Sequence, residues 1–216
     1  GLDFKVTENT LIPRGDTENI VEEVIATIEN SGYNTVLDMC TGTGAIAISV
    51  AHYTKAKVTA SDISSKALEV ARENAKILNA DVNFIESDLF ENINETFDVL
   101  VSNPPYIESE VIPTLMEQVK DYEPMLALDG GKDGLDFYRN IINQAKNYIN
   151  QNGCIVFEIG YNQGGQVKSL LENAGFVNIN VKQDLAGLDR LVIGFKLWYT
   201  DHIRTGGKKC LKDLQI

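Results

Sequence analysis

Short β-branched apolar runs alternate with longer segments of helical periodicity between residues 33 and 102. The runs predict four strands, at 35–39, 57–61, 82–85 and 97–101. Two helices are predicted between them, one over 45–53 and one that runs from an N-cap at Ser64 to Asn79. This order of strands and helices is typical of an α/β fold with a doubly wound parallel sheet.

A loop-rich segment opens the second half of the chain. Residues 103–134 carry four of the five prolines, and long irregular segments of this kind are usually kept for binding. The pattern then predicts a helix over 135–150, a strand over 154–158, a helix over 163–174 and strands over 177–181 and 191–196. The last two strands are joined by a loop too short for a crossover helix, so we expect them to be antiparallel.

The two ends of the chain differ from its body. Residues 1–13 hold two short extended patterns, which predict a hairpin packed at the sheet edge. Residues 197–216 have no periodicity that would predict a helix or a strand. We therefore expect one domain over 1–196, followed by an atypical tail.

Composition and charge narrow the class of protein. With 216 residues, 44% of them hydrophobic and 23% charged, the chain is a globular domain with a sizeable core. Its 19 basic and 31 acidic residues leave a net charge of −12, so we do not expect it to bind nucleic acid directly. No apolar run is long enough to cross a bilayer and no signal peptide is recognisable, which predicts a cytoplasmic protein without membrane contact. The three cysteines and two histidines predict neither a disulfide framework nor a metal site.

A glycine-rich turn follows the first predicted strand, in D-M-C-T-G-T-G-A-I-A at 38–47. Gly42 and Gly44 allow the backbone to turn tightly and to approach a ligand at the start of the next helix. Asp62 ends the second strand, where an acid can accept hydrogen bonds from a ribose diol. Asp88, after the third strand, has the corresponding place for an adenine. These features alone would fit a dinucleotide-binding enzyme equally well.

The tetrapeptide N-P-P-Y, at 103–106, directly follows the fourth predicted strand. Pro104 and Pro105 lack an N–H and have a fixed φ, so they stiffen the turn and leave carbonyl oxygens to face a ligand. The side-chain oxygen of Asn103 and the carbonyl of Pro104 can accept the two hydrogens of a planar –NH2 group, and Tyr106 offers a flat face. We therefore predict Asn103, Pro104, Pro105 and Tyr106 as the catalytic residues.

Together these segments resemble the seven-stranded methyltransferases that use S-adenosyl-L-methionine. The resemblance is closest to the HemK/PrmC family of protein-(glutamine-N5) methyltransferases and covers about residues 1–196. The matching segments are L-I-P-R at 11–14, T-E at 17–18, D-M-C-T-G-T-G-A-I-A-I at 38–48, S-D-L-F at 87–90, N-P-P-Y-I at 103–107, Y-E-P-x-x-A-L at 122–128, D-G-L-x-x-Y-R at 133–139, E-I-G-Y-N-Q-G at 158–164 and D-L-A-G-x-D-R at 184–190. N-P-P-Y by itself is shared with amino methyltransferases of DNA and RNA, and the other segments make the narrower match.

The resemblance implies a fold and a reaction. The fold is a Rossmann-like sheet in the order 3-2-1-4-5-7-6, with strand 7 antiparallel. The reaction is methyl transfer from S-adenosyl-L-methionine to the side-chain amide of the glutamine in a Gly-Gly-Gln motif, with a peptide-chain release factor as the protein substrate and S-adenosyl-L-homocysteine as the product.

The resemblance also implies roles for individual residues. Cys40 to Gly44 line the methionine part of the cofactor, Asp62 binds the ribose, and Asp88 with Leu89 borders the adenine. Asn103 touches both cofactor and substrate, while Pro104 to Tyr106 hold the glutamine. The residues expected to bind the cofactor are Asp38, Cys40, Thr41, Gly42, Thr43, Gly44, Asp62, Asp88, Leu89 and Asn103.

The chain departs from the family pattern in three places. Gly15 and Asp16 stand where the family has Pro-Glu, which predicts a looser loop near the cofactor. The family's N-terminal helical domain, which helps to grip the substrate, is expected to be absent, as in a catalytic-domain fragment. The tail at 197–216 matches no family segment and is expected to be non-native.

Other functions compete with this one. An amino methyltransferase acting on adenine or guanine in DNA or RNA explains N-P-P-Y equally well, but it should display a basic face. A nicotinamide-dependent dehydrogenase explains only the glycine turn and Asp62, and a cofactor-binding module without activity is the third alternative. Gly164-Gly165-Gln166 repeats the substrate tripeptide, but its place at the start of a predicted helix favours helix entry over self-methylation.

Overall fold

The computed structural model describes residues 1–120 and 122–197. Its strands are β1 (Thr35–Met39), β2 (Lys57–Asp62), β3 (Val82–Glu86), β4 (Phe97–Ser102), β5 (Ile149–Glu158), β6 (Val177–Gln183) and β7 (Asp189–Phe195). Its helices are α1 (Asp16–Ser31), α2 (Ala45–Tyr53), α3 (Ser65–Ile77), α4 (Glu117–Lys120), α5 (Met125–Leu128), α6 (Asp136–Ala145) and α7 (Gly164–Asn173). The tail predicted to be atypical lies almost wholly outside the described residues.

The strands form one seven-stranded sheet in the order β3-β2-β1-β4-β5-β7-β6. Strands β1 to β5 all run parallel to one another, whereas β7 runs antiparallel to both β5 and β6. The predicted order and the antiparallel seventh strand are confirmed. Because β1, β2 and β4 are parallel neighbours, the loops that follow them meet at one edge of the sheet, where open α/β sheets bind their ligands.

The sheet is covered on both faces. Helices α1 and α2 pack on one face, where Val24 and Val50 join Val36 of β1 in the core. Helices α6 and α7 pack on the other, where Tyr138 and Leu171 are fully buried. Alternate residues of the central strands therefore point into two separate apolar layers.

The N-terminal region differs from its prediction. The hairpin expected over residues 1–13 does not form; the segment has no strand, only a turn in which the Thr10 N–H donates to the Thr7 carbonyl. The Lys5 N–H donates to Asn74 of α3, so the segment packs against a helix instead of a sheet edge. Helix α1 was not predicted, although Ile20, Val24 and Ile28 recur at the four-residue spacing of a buried helical face.

Two further predictions differ from the structure. The helix predicted over 135–150 ends at Ala145, because β5 begins at Ile149, whose side chain is buried and which pairs with Phe97. The segment 103–134 is also less irregular than expected, since it contains a 3₁₀ turn and the short helices α4 and α5. No helix in the described ranges has the length and hydropathy to span a membrane.

Candidate active site

A cavity of about 350 Å³ opens at the carboxyl ends of β1, β2 and β4. Nine predicted site residues line it: Cys40, Thr41, Gly42, Thr43, Asp62, Asp88, Leu89, Asn103 and Pro105. The other four, Asp38, Gly44, Pro104 and Tyr106, lie within two residues of these in the chain but are not among the lining residues. All but two of the segments that carry the family resemblance, those at 158–164 and 184–190, thus contribute residues to one concave site of the size that small-molecule ligands require.

The glycine-rich turn presents its backbone to this cavity. Gly42 has a φ of 57°, and a Cβ placed on it would meet no atom within 4 Å. Gly44 has a φ of 80°, and a Cβ there would lie 2.8 Å from Cδ1 of Ile48. Gly42 therefore leaves room for a ligand beside the backbone, whereas Gly44 allows the turn to pack onto α2.

Asp38 lies beneath the turn. It is fully buried, and its Oδ2 accepts hydrogen bonds from the Thr41 hydroxyl at 2.6 Å and the Ala47 N–H at 3.1 Å. Burial raises the pKa of Asp38 to about 7, and its Oδ1 has no hydrogen-bond partner. In this position Asp38 supports the turn and the first turn of α2.

Asp62 connects the second strand to the glycine turn and also faces the cavity. Its Oδ2 accepts the Gly42 N–H and its Oδ1 accepts the Ser64 N–H, both at 2.9 Å. Burial raises the pKa of this carboxyl as well. Each oxygen retains acceptor capacity, so Asp62 can hold the turn and still accept hydrogen bonds from a diol.

The loop after β3 forms the next wall. Leu89 has a positive φ of 46°, and its carbonyl accepts a hydrogen bond from the Ser87 hydroxyl at 2.9 Å. The same hydroxyl accepts the Asn92 N–H at 3.0 Å. These bonds turn the backbone so that exposed Asp88 and half-buried Leu89 both reach the cavity.

Asn103 carries one of three buried side-chain atoms in the described residues that make no hydrogen bond. Its Oδ1 is buried and makes no hydrogen bond, although Asn103 lines the cavity. The preceding Ser102 donates to the Met39 carbonyl at 2.7 Å and so fixes the end of β4 against β1. Ser61, also on the cavity wall, has an unpartnered buried hydroxyl. Unsatisfied buried acceptors are costly, so such an atom beside a cavity indicates a donor that arrives with a ligand.

Several cavity residues were not predicted as site residues. They come from the N-terminal segment, the first turn of α1, the region of α5 and helix α6: Leu11, Pro13, Thr17, Pro124, Leu126, Ala127, Phe137 and Asn140. Leu11, Pro13 and Pro124 belong to L-I-P-R and Y-E-P, so the quoted segments already carried a signal for them. Phe137 and Asn140 are three residues apart on α6, which places them on one face of that helix.

Cysteine and metal chemistry have little support in the described residues. Burial raises the pKa of the Cys40 thiol, so it is a neutral group and not a nucleophile. Within residues 1–120 and 122–197, no three His, Cys, Asp or Glu side chains group as metal ligands would.

The sheet order and the site at its carboxyl edge define an α/β methyltransferase. The family model "Methyltransferase small domain" matches residues 21–131. Among solved structures, a methyltransferase from Pyrococcus furiosus has a TM-score of 0.66 at 19% identity, covering 91% of this chain and 90% of that one. A T. thermophilus 16S rRNA methyltransferase in complex with AdoMet and guanosine has a TM-score of 0.63 at 16% identity, covering 86% and 44%.

Curated relatives narrow the class further. The release factor glutamine methyltransferase of Clostridium acetobutylicum is 47% identical, over 91% of this chain and 71% of the relative. That of Fusobacterium nucleatum is 45% identical, over 91% and 56%, and that of Lactococcus lactis is 43% identical, over 88% and 71%. The chain belongs to the release factor glutamine methyltransferase family. As a methyltransferase of this family it uses S-adenosyl-L-methionine.

Proposed function

We propose that this chain transfers a methyl group from S-adenosyl-L-methionine to the side-chain amide nitrogen of the glutamine in the Gly-Gly-Gln motif of a peptide-chain release factor. The observation that carries this proposal is Asn103, which lines the cavity directly before two prolines and whose buried Oδ1 makes no hydrogen bond. An acceptor in this place suits the N–H of a primary amide.

The cavity residues fit the cofactor. Gly42 leaves open space beside its backbone, Asp62 can accept from a ribose diol, and Asp88 with Leu89 would border the adenine. When bound, S-adenosyl-L-methionine supplies an electrophilic methyl group on a sulfonium. The wall residues Cys40, Thr41 and Thr43 would hold its methionine part.

The chain's own contribution to the reaction is orientation. An amide nitrogen is a poor nucleophile, because its lone pair is delocalised into the carbonyl. Asn103 Oδ1 and the Pro104 carbonyl would accept its two N–H bonds and aim the nitrogen at the methyl group. The same acceptors stabilise the positive charge that develops on this nitrogen. The methyl group replaces one amide hydrogen, so as the methyl–sulfur bond breaks one proton leaves the nitrogen for solvent, and neither acceptor has to take it up.

The charge of the chain favours a protein substrate over a nucleic acid. A net charge of −12 opposes binding to a phosphate backbone. The likeness to the 16S rRNA methyltransferase is one of fold, at 16% identity. Methylation of adenine or guanine is therefore the second candidate function, favoured only by the N-P-P-Y turn.

The chain's own Gly-Gly-Gln does not suit the site. It forms the first turn of α7, where a Cβ on Gly164 would lie 2.3 Å from Asp189 Oδ2. Gln166 is exposed on the helix. The tripeptide is thus held in a packed helix, which supports helix entry as its role and not self-methylation.

The test is a methyl-transfer assay with labelled S-adenosyl-L-methionine. A release-factor fragment that contains Gly-Gly-Gln should become labelled, while a fragment with Gly-Gly-Ala should not. Adenine- and guanine-containing DNA and RNA are assayed in parallel. Label in a nucleic acid and none in the release-factor fragment would overturn the proposal in favour of the second candidate.

A further inference from the structure

Gln163 lies where three loops meet behind the N-P-P-Y turn. Its side chain is buried and accepts the Gly160 N–H at 2.9 Å through Oε1. Its Nε2 donates to the Tyr106 carbonyl at 3.0 Å and to the Gly134 carbonyl at 3.2 Å. Both hydrogens of this amide are therefore engaged, and the nature of the partners fixes which end is nitrogen and which is oxygen.

The backbone of Tyr106 is also held by close packing. A Cβ on Gly130 would lie 2.7 Å from the Tyr106 Cα, and one on Gly134 would lie 2.4 Å from the Tyr106 carbonyl oxygen. Next along the chain, the Ile107 N–H donates to the Leu128 carbonyl at 2.9 Å. Two glycines thus let the 130–134 loop approach this backbone, and Gln163 binds the two together.

Helix capping does not explain the glutamine. Gln163 occupies the N-cap position of α7, yet its side chain makes no hydrogen bond to the helix N–H groups. Short polar side chains are the usual N-caps, because they can reach back to the first turn. The longer side chain of Gln163 instead reaches away from the helix, to the turn that follows β4.

We infer that Gln163 is a positioning residue for the N-P-P-Y turn, which is predicted to bind the substrate glutamine. By fixing the Tyr106 carbonyl it sets the path of the chain from Asn103 to Tyr106, and with it the place of the Pro104 carbonyl. Gln163 does not line the cavity and reaches the N-P-P-Y turn only through the Tyr106 carbonyl, so we expect it to affect substrate orientation and not cofactor affinity. The inference rests on the proposed function and adds to it the residue that holds the backbone of the N-P-P-Y turn in position.

The main test is Gln163→Glu, assayed at about pH 8, where the introduced carboxylate is ionised and faces two carbonyl oxygens. We expect kcat for the release-factor fragment to fall about 100-fold, the loss typical of a misplacement of about 1 Å. Affinity for S-adenosyl-L-homocysteine should remain within about twofold of the parent. The matched control is Gln166→Glu, the same change at an exposed position three residues along, and it should leave kcat unchanged.

A pH profile separates this role from a merely structural one. A protonated carboxyl can donate one hydrogen bond, so the deficit of Gln163→Glu should shrink about tenfold as pH falls from about 8 to about 5.5. Gln163→Met, of similar length but without a donor, should show a deficit that does not change with pH. Wild-type kcat in both variants, or loss of S-adenosyl-L-homocysteine affinity in both, would overturn the inference.

Hydrogen exchange tests whether the hydrogen bond from Gln163 to the Tyr106 carbonyl holds this backbone in place, and it does so independently of methyl transfer. The Ile107 amide should exchange about tenfold faster in Gln163→Glu than in the wild-type chain or the Gln166→Glu control. Unchanged exchange at Ile107 would overturn the inference even if the activity fell. A wild-type chain that binds S-adenosyl-L-homocysteine but leaves the release-factor fragment unlabelled would instead overturn the proposed function. Exchange at Ile107 would still show whether Gln163 holds the backbone at Tyr106.

Discussion

Arg14 and Glu123 form an ion pair that joins the N-terminal segment to the loop between β4 and α6. Nη2 of Arg14 lies 2.8 Å from Oε1 and 3.0 Å from Oε2 of Glu123. The Glu123 side chain is 2% exposed and that of Arg14 is 46% exposed. The neighbouring residues Pro13 and Pro124 both line the cavity, so this one pair holds two walls of the site together.

Arg14→Ala should destabilise the chain and loosen the site. It leaves the Glu123 carboxylate buried without its cation, but solvent reaches the half-exposed arginine side, so we expect a loss of about 1–2 kcal/mol in the free energy of unfolding. Affinity for S-adenosyl-L-homocysteine should fall about tenfold. Urea unfolding and calorimetric titration measure the two effects.

The control for Arg14→Ala is Arg139→Ala, whose partners Asp133 and Asp136 are exposed. It should cost less than about 1 kcal/mol. Adding Glu123→Gln to Arg14→Ala should recover most of the lost stability, because the buried charge is then gone. If the double variant is no more stable than Arg14→Ala, the pair does not hold the walls in the way described.

Asn103→Ala should lower methyl transfer far more than cofactor binding. The variant removes the acceptor predicted to orient the amide nitrogen, and the loss of one preorganised group of this kind typically lowers kcat about 100- to 1,000-fold. Affinity for S-adenosyl-L-homocysteine should change by less than about tenfold. Labelled methyl transfer and calorimetry give the two numbers, and unchanged turnover would contradict the predicted role.

Alanine at the two turn glycines should separate binding from folding. Gly42→Ala places a methyl group in open space beside the cavity, so it should weaken cofactor affinity by about tenfold or more, with about 1–2 kcal/mol of backbone strain at its positive φ. Gly44→Ala adds the contact with Ile48 to the same strain and should cost about 2–4 kcal/mol of stability. Unchanged cofactor affinity in Gly42→Ala would show that the open space at Gly42 is not used.

Asp38 should make stability depend on pH below neutrality. Its folded pKa of about 7 lies above the unfolded value of about 3.9, so between these values the folded chain keeps a proton that the unfolded chain releases. Stability from this group is therefore fully present below about pH 4 and is lost as pH rises to about 7.

Asp38→Asn cannot ionise, so the free energy of unfolding should depend less steeply on pH between about 4.5 and 7 than in the parent, by up to about 1.4 kcal/mol per pH unit. Asp62, whose pKa burial also raises, keeps its own contribution in both chains. Urea unfolding at several pH values measures the difference between the two slopes. Parallel slopes would show that Asp38 is ionised in the folded chain throughout this range.

Much of the fold could be predicted because local pattern and tertiary packing agree in it. Ala45–Tyr53 was predicted with its observed bounds, and the short link between β6 and β7 forced their antiparallel pairing. Predictions failed where packing overrides the local pattern. The helical periodicity before Ile149 continues past Ala145, but pairing with Phe97 converts the chain to a strand.

The candidate site was predictable as far as its residues follow directly on strands. Asp62 is the last residue of β2, and Asn103 directly follows β4. Both strands pair in parallel with β1, which brings these positions to one edge of the sheet. The walls from residues 11–17 and 124–127 could not be placed from periodicity, because they reach the cavity through contacts distant in sequence, such as that between Arg14 and Glu123. The role inferred for Gln163 depends on two such contacts, with the carbonyls of Tyr106 and Gly134, so periodicity could not indicate it although the residue lies in the quoted segment at 158–164.

The helix that begins at Gly164 bears on how an enzyme of this kind tells its target from itself. A tripeptide is too short a sequence to specify a substrate, and this chain contains the same Gly-Gly-Gln tripeptide. Presenting Gln166 in an extended form would require the first turn of α7 to unwind from its packing against Asp189 and Val181. The helical conformation of this tripeptide then protects it from methylation. The substrate is distinguished by the conformation in which its glutamine is presented, and not by the neighbouring residues alone.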